Sequence, residues 1–395
     1  MPTTTTSVRN AIAAILPLCI SAAPATLVSA QESVFVGIEA TASFWWTIHE
    51  QVQNGLFQPG SGDVADDHAS GFSFRHGRLG LSFESPREHL QLLLRLRLEE
   101  RADIADFYAG WTPTPGLRLY FGQMKIPSTA EVLTPYHELD FAARSTFGKR
   151  VGDYSLTRTP YISSLMAAKS YHRDLGLAWK GSLVGEGGRG IHWFAMAGNG
   201  LGANRYIGGG ESEEFLFTNS IGELYYGARL EFVPDRRVAA GLHASRNNHR
   251  DVALSDRGPV FDIGRSVWTA DLAVSMDKGW RGYAFYGRGD MDDYFDSQQY
   301  DYTYSGWGVQ LVAPVRPQKL EIALRYDRFS SELVDDGIRT TQHNWTGGVN
   351  FKPRNNVWIQ LNYVTKRTEN QFEEDLGDNL LLINCRVFFD SVVEL

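Results

Sequence analysis

Basic side chains recur at alternate positions in segments whose remaining positions are apolar. Arg95 and Arg97 stand among Leu94, Leu96 and Leu98, and Arg78 precedes Leu79 and Leu81 by one and three positions. Arg118, Lys180, Arg229, Arg325, Lys352 and Arg386 oppose apolar faces in the same way, against Leu224-Tyr226-Ala228-Leu230 and Leu320-Ile322-Leu324 among others. Successive side chains of an extended chain point to opposite faces, so these cations share the polar face of two-faced strands. Guanidinium groups stay charged and present forked donors that match phosphate or carboxylate oxygens. A row of moderate sites of this kind would let anions enter and also leave. The alternative is that these side chains pair with acids on the same face, Glu84, Glu99, Glu231, Glu321 and Asp327, and brace a wall. For a single arginine both readings stand; for Arg78, Arg95 and Arg97 on adjacent strands the reading leans toward a pore lining.

Other chemistry has little to rest on. His137, His172, His243 and His343 are scattered, with no metal-ligand spacing and no serine motif or acid pair beside them. The expectation is therefore no metal, no cofactor and no enzyme, with a rim lipase or protease as the alternative. The net charge of −8 excludes a generally basic surface of the nucleic-acid-binding type.

The cations belong to a pattern that runs from Val34 to Phe389. Segments of about ten residues alternate apolar and polar side chains, and the gaps between them are alternately long and short. His89–Glu99 shows it best: Leu90, Leu92, Leu94, Leu96 and Leu98 point one way, Gln91, Leu93, Arg95, Arg97 and Glu99 the other. With lipid on the first side and water on the second, the segment is one stave of a transmembrane barrel. About sixteen strands can be read. Short turns fall at residues 85–88, 113–116, 234–237, 277–279, 315–318 and 353–356, all rich in the Pro, Gly, Asn and Asp of tight turns. Longer connections alternate with them, such as 51–70, 126–173 and 291–303. The fold class expected is all-β, a transmembrane antiparallel up-and-down β-barrel with long external loops and short periplasmic turns. Cations left on its lipid side would cost about 2–4 kcal/mol each at the midplane, which favours the lumen.

Aromatics near the segment ends suit the headgroup level of a bilayer: Trp45, Trp46, Trp111, Trp179, Trp193, Tyr225, Trp268, Trp280, Trp307, Trp345 and Trp358. At the N-terminus, Arg9, the apolar run 11–20 and Val28-Ser29-Ala30 read as a signal peptide over residues 1–30, leaving 31–395 as one barrel domain. Cleavage there would leave Cys385 as the single cysteine, so no intrachain disulfide is expected.

Specific motifs add to the pattern. Arg75-His76-Gly77-Arg78-Leu79-Gly80-Leu81 is followed by Asp106-Phe107-Tyr108-Ala109-Gly110-Trp111 and then by Gly116–Pro127, which contains Gly122-Gln123-Met124-Lys125-Ile126-Pro127. Arg173-Asp174-Leu175-Gly176, Gly198-Asn199-Gly200 and Tyr226-Gly227-Ala228-Arg229-Leu230 follow in order. In these motifs the chain resembles the phosphate-selective porin O and P family. The resemblance implies a sixteen-stranded, trimeric channel in the bacterial outer membrane, surrounded by lipid and passing small anionic or hydrophilic solutes. It also implies a third external loop folded into the lumen. The segment 126–173 stands where that loop would be, as a candidate constriction carrying Arg144, Lys149, Arg150, Arg158 and Lys169 beside Glu131, Glu138, Asp140 and Asp153.

Two features depart from the family pattern. The chain continues past Phe388-Phe389 to Leu395 instead of ending on an aromatic. The later external loops are acidic, with Asp290, Asp292, Asp293 and Asp296, Asp335 and Asp336, and Glu373, Glu374 and Asp375. A non-selective general porin and a plugged structural or adhesive barrel are the other functions weighed.

Overall fold

A computed structural model describes residues 34–49, 71–98, 102–151, 172–185, 189–200, 224–253, 260–292, 301–334, 337–370 and 373–394. The proposed signal peptide, Glu99, Arg158 and Lys169 lie outside the described residues, and of Arg150 only the backbone is described.

The sixteen strands form one closed antiparallel barrel in which each strand pairs with its sequence neighbours and β1 pairs with β16. They are β1 Phe35–His49, β2 Gly71–Ser85, β3 Leu90–Leu98, β4 Ala102–Thr114, β5 Leu117–Lys125, β6 Arg173–Val184, β7 Gly190–Gly198 and β8 Tyr225–Asp235. The second half comprises β9 Val238–Ala253, β10 Val260–Ser275, β11 Arg281–Asp292, β12 Tyr302–Arg316, β13 Leu320–Leu333, β14 Ile338–Arg354, β15 Val357–Asn370 and β16 Glu373–Glu394. Closure leaves no edge strand, so every strand's backbone polar groups can be paired within the bilayer.

The alternation in the sequence becomes two surfaces. Leu90, Leu92 and Leu98 on β3 and Ile322 and Leu324 on β13 are exposed on the outside, while Arg97, Arg325 and Asp327 are buried on the inside. The turns between β2 and β3, β4 and β5, and the later hairpins gather at one end, as their proline and glycine content requires. Gly116 takes φ +83 there, and a Cβ at this position would meet the Ser182 carbonyl at 2.6 Å. The free acceptance of positive φ by glycine closes that turn.

Several boundaries differ from the sequence reading. β4 starts at Ala102, ahead of the Asp106–Trp111 motif, and β16 runs from Glu373 to Glu394, past the Phe389 at which the alternation was read to end. Residues 390–394, read as a tail, are part of the closing seam: Asp390 lies opposite Glu39 and Glu394 opposite Phe35. The aromatic belt also needs correction. Trp45 is 9% exposed and Tyr225 fully buried, both on the inner face, and Trp358 faces inward beneath the Lys352 ammonium. Their neighbours Trp46 and Tyr226 occupy the outer face instead.

Candidate functional site: the folded-in loop and the lumen cations

The chain leaves β5 at Lys125 and turns into the barrel. It forms a short helix α1 (Ala130–Leu133), a single 3-10 turn (Tyr136–Glu138) and a second helix α2 (Thr146–Val151). Such short helices need outside support, and side chains of the barrel wall supply it. Asp271 on β10 accepts from the Ala130 amide at 3.3 Å, and the Tyr283 hydroxyl on β11 accepts from that of Glu131 at 3.3 Å. Lys125, at the end of β5, and Arg144, within the loop, hold the same turn. The ammonium donates to the Leu133 carbonyl at 2.7 Å and the guanidinium to that of Thr134 at 2.8 Å.

Farther on, the backbone is gripped carbonyl by carbonyl. Arg386 donates to Leu139 at 2.8 Å and Phe141 at 2.7 Å, Gln360 to Leu139 and Asp140 at 3.1 Å, Asn350 to Asp140 at 2.9 Å, and Arg325 to Ala143 at 2.8 Å. Asn362 accepts from the Ala142 amide at 2.7 Å. Asp327 accepts from that of Thr146 at 3.0 Å, at the start of α2. Beneath α2, Phe147 is fully buried and stacks on Phe285 at 5.8 Å between centroids. A Cβ at Gly287 or Gly306 would collide with its ring, so these two glycines form its socket.

All nine strand cations singled out from sequence fall on the inner face, and what they touch separates them. Arg229 makes a two-pronged contact with Asp271 at 2.6 and 2.8 Å, reaches Glu231 at 2.9 Å and donates to the Ser128 carbonyl at 3.1 Å. Arg325 has Asp327 at 3.3 Å besides its loop contact. With Arg386, whose partners are loop carbonyls, these three hold the loop to the wall; Arg229 and Arg325 also have Glu231 and Asp327, two of the acids named above. Arg95 is paired with Glu39 and, at 2.7 Å, with Asp106, and Arg97 is paired with Asp103. Lys180 lies over the Phe194 ring at 4.4 Å, and Arg118 is exposed toward the turn end.

Arg78 is different. Among the described residues it forms no hydrogen bond or ion pair, its Nε is buried without a partner, and its guanidinium lies 5.5 Å from the Tyr136 ring. The loop aromatic is sandwiched further, with His76 stacked on it at 4.0 Å and Arg144 over it at 3.9 Å. Arg173, Arg95 and Asp106 are charged neighbours of Arg78, and Lys125 has Arg144, Arg173 and Arg78 around it. Arg78 and Arg144 thus flank Tyr136, while Arg95, Arg173, Lys125 and the acid Asp106 act on Arg78 as charged neighbours.

Of the loop candidates, Arg144 belongs to this group and Lys149 is half-buried on α2. Arg173 and Arg281 were missed by sequence reasoning. Arg173 opens β6 and pairs with Asp106 at 2.6 Å, and Arg281 joins Asp140 at 2.5 Å to Glu321 at 3.1 Å. Parity could have found Arg281, but its flanking Gly282 blurs the alternation. Arg173 was given to the loop because β6 was started one residue late.

A closed sixteen-stranded barrel with an apolar exterior and a loop folded into a charged lumen is the architecture of bacterial outer-membrane porins. Residues 247–389 match the family described as phosphate-selective porin O and P. This match bears out the resemblance, although it lies C-terminal to the Gly-Gln-x-Lys-x-Pro block on which the sequence reading leaned. The chain has no match among curated protein sequences.

Solved structures share the fold. An anion-selective porin from Comamonas acidovorans aligns with a TM-score of 0.58 at 13% identity, over 90% of this chain and 98% of that one. The outer membrane channel DcaP of Acinetobacter baumannii gives 0.58 at 12% identity, over 92% and 100%. OmpT of Vibrio cholerae in a trimer form gives 0.53 at 11% identity, over 91% and 100%. Family and fold fit an outer-membrane channel rather than an enzyme.

Proposed function

We propose that this channel passes small hydrophilic solutes by passive diffusion and favours anions, inorganic phosphate among them. The observation that carries the reading is Arg78: a guanidinium with no carboxylate partner among the described residues, beside the loop aromatic Tyr136 that Arg144 also covers, with Arg95, Arg173 and Lys125 among its charged neighbours. An unpaired fork on a water-facing wall offers an anion a weak stopping point without holding it. The family match and the anion-selective relative from Comamonas acidovorans support the same direction. A homotrimer is part of the proposal, supported by the trimer form of the related OmpT fold. So are removal of residues 1–30 on export and a single barrel domain over 31–395.

The acids at the external ends of β11 and β16, Asp290, Asp292, Glu373, Glu374 and Asp375, favour a second reading, a general porin without anion preference. Reversal potentials across a planar bilayer under a potassium chloride gradient separate the two. Anion preference that falls as phosphate is added supports the proposal, and cation preference or none moves the chain to the general class.

A further inference from the structure

The outer face carries a second ordered set of cations. On four alternate strands the outward side chains rise from aliphatic residues to arginine in the direction of the long connections. The order is Leu242, Ala244, Arg246 on β9 and Ala284, Tyr286, Arg288 on β11. It is Leu324, Tyr326, Arg328 on β13 and Leu361, Tyr363, Thr365, Arg367 on β15. The strands between them bring tryptophans to nearly the same level. Trp268 lies opposite Arg288 in the register, Trp307 opposite Arg328, and Trp345 opposite Tyr326. The rings pack into a belt, with centroids 5.2 Å apart for Trp268 and Tyr286, 5.1 Å for Trp307 and Tyr326, and 4.7 Å for Tyr326 and Trp345. Tryptophan and tyrosine mark the headgroup level, so these arginines sit among the headgroups of the outer leaflet.

Part of the band neutralises itself. Arg288 donates to Asp290 at 3.0 Å, while Arg367 at 3.6 Å and His343 at 3.8 Å share Glu369. Arg246 has Asn248 as its partner at 3.2 Å and, among the described residues, no carboxylate. Arg328 has no hydrogen bond or ion pair among the described residues, and its Nε is buried beside the belt. Its register partners are Trp307 and His343, and the His343 Nδ1 is 2.8 Å from the Tyr326 hydroxyl. A fork left open at the oil–water boundary, with aromatic walls on both sides, lacks an anion that stays at that depth.

We infer that the outer rim of β9–β15, centred on Arg328, binds the phosphorylated headgroups of outer-leaflet lipid. The partner is a membrane-anchored phosphate, because the open fork lies outside the barrel and beside rings that a free ion would not contact. The inference rests on the outer-membrane barrel and not on what passes through the lumen, so failure of anion selectivity leaves it standing.

The test is retention of lipid by the full barrel folded in a neutral detergent. Diphosphorylated lipid A and its dephosphorylated form are offered, and bound lipid is counted by native mass spectrometry. The wild type should retain the diphosphorylated lipid preferentially. Arg328→Gln should lower that retention about fivefold, the effect of one cation at an anionic surface. Arg328→Lys should keep most of it, and conductance should be unchanged in both. A heat-sensitive shift in gel mobility verifies that each variant is folded. Equal retention by wild type and Arg328→Gln overturns the inference. So does displacement of the lipid by inorganic phosphate, or a change of oligomeric state in its place, which would assign the band to a second copy of the chain.

Discussion

Arg386 on β16 donates to the carbonyl of Leu139 at 2.8 Å, joining two residues 247 positions apart. The same guanidinium reaches Phe141, so one wall side chain holds two successive stretches of the loop. Arg386→Ala should free this crossing. Two charged hydrogen bonds are lost, each worth about 1.5–3 kcal/mol. Single-channel currents should become larger and noisier, and heat-induced unfolding followed on gels should move to lower temperature.

The buried pair of Arg229 and Asp271 anchors the opposite end of the loop. Asp271→Asn leaves the guanidinium without its main partner and should destabilise the barrel by about 3–5 kcal/mol. Removing both charges together should restore part of the loss, read as the coupling energy of a double-mutant cycle in thermal unfolding.

Arg78 and the pair Arg95 and Arg97 should respond differently. Arg78 has no ion pair to break, so Arg78→Gln should lower anion preference with a stability change within about 0.5 kcal/mol. Arg95→Gln with Arg97→Gln strands Asp103, Glu39 and part of the Asp106 contacts. Here unfolding temperature should fall as well as selectivity. A measured preference that is unchanged in Arg78→Gln would remove that residue from the ion path.

Phe147 fills the socket made by Gly287 and Gly306. Phe147→Ala should cost about 3–5 kcal/mol, the usual range for a buried aromatic. Gly306→Val should mimic it from the other side by evicting the ring, and both should raise conductance if α2 narrows the bore.

His137 in the loop offers a pH dependence. Burial, opposed by Glu138 and Glu39 and reinforced by Arg78 and Arg386, holds its imidazole below the ordinary range. It is therefore neutral at neutral pH and gains its charge only on stronger acidification than a free imidazole needs. Anion preference should rise on the acid side by an increment that His137→Asn removes, as read from reversal potentials at stepped pH.

The strands were legible because a barrel in lipid writes its two surfaces into every other residue: the leucines of β3 and the arginines between them needed no tertiary knowledge. Facing was less legible where two large aromatics are adjacent. Trp45-Trp46 and Tyr225-Tyr226 each must send one ring inward, and either ring suits a headgroup or a packed interior. The loop's attachments were not legible at all. Arg386 was recognised as an inward cation, yet its partners are backbone carbonyls, which carry no residue identity for a sequence pattern to register. Asp106 on β4 holds both Arg95 on β3 and Arg173 on β6, a meeting of three strands that no spacing along the chain announces.

The grip on the loop between Leu139 and Thr146 has a mechanical consequence. Arg386, Gln360, Asn350, Asn362, Arg325 and Asp327 are spread over the four staves β13 to β16, so swinging this span aside would require releasing donors and acceptors from four strands together. Small fluctuations cannot do that one bond at a time and gain much aperture. The span from Leu139 to Thr146 is therefore expected to keep one position against the wall, so that the opening beside it is set when the barrel assembles.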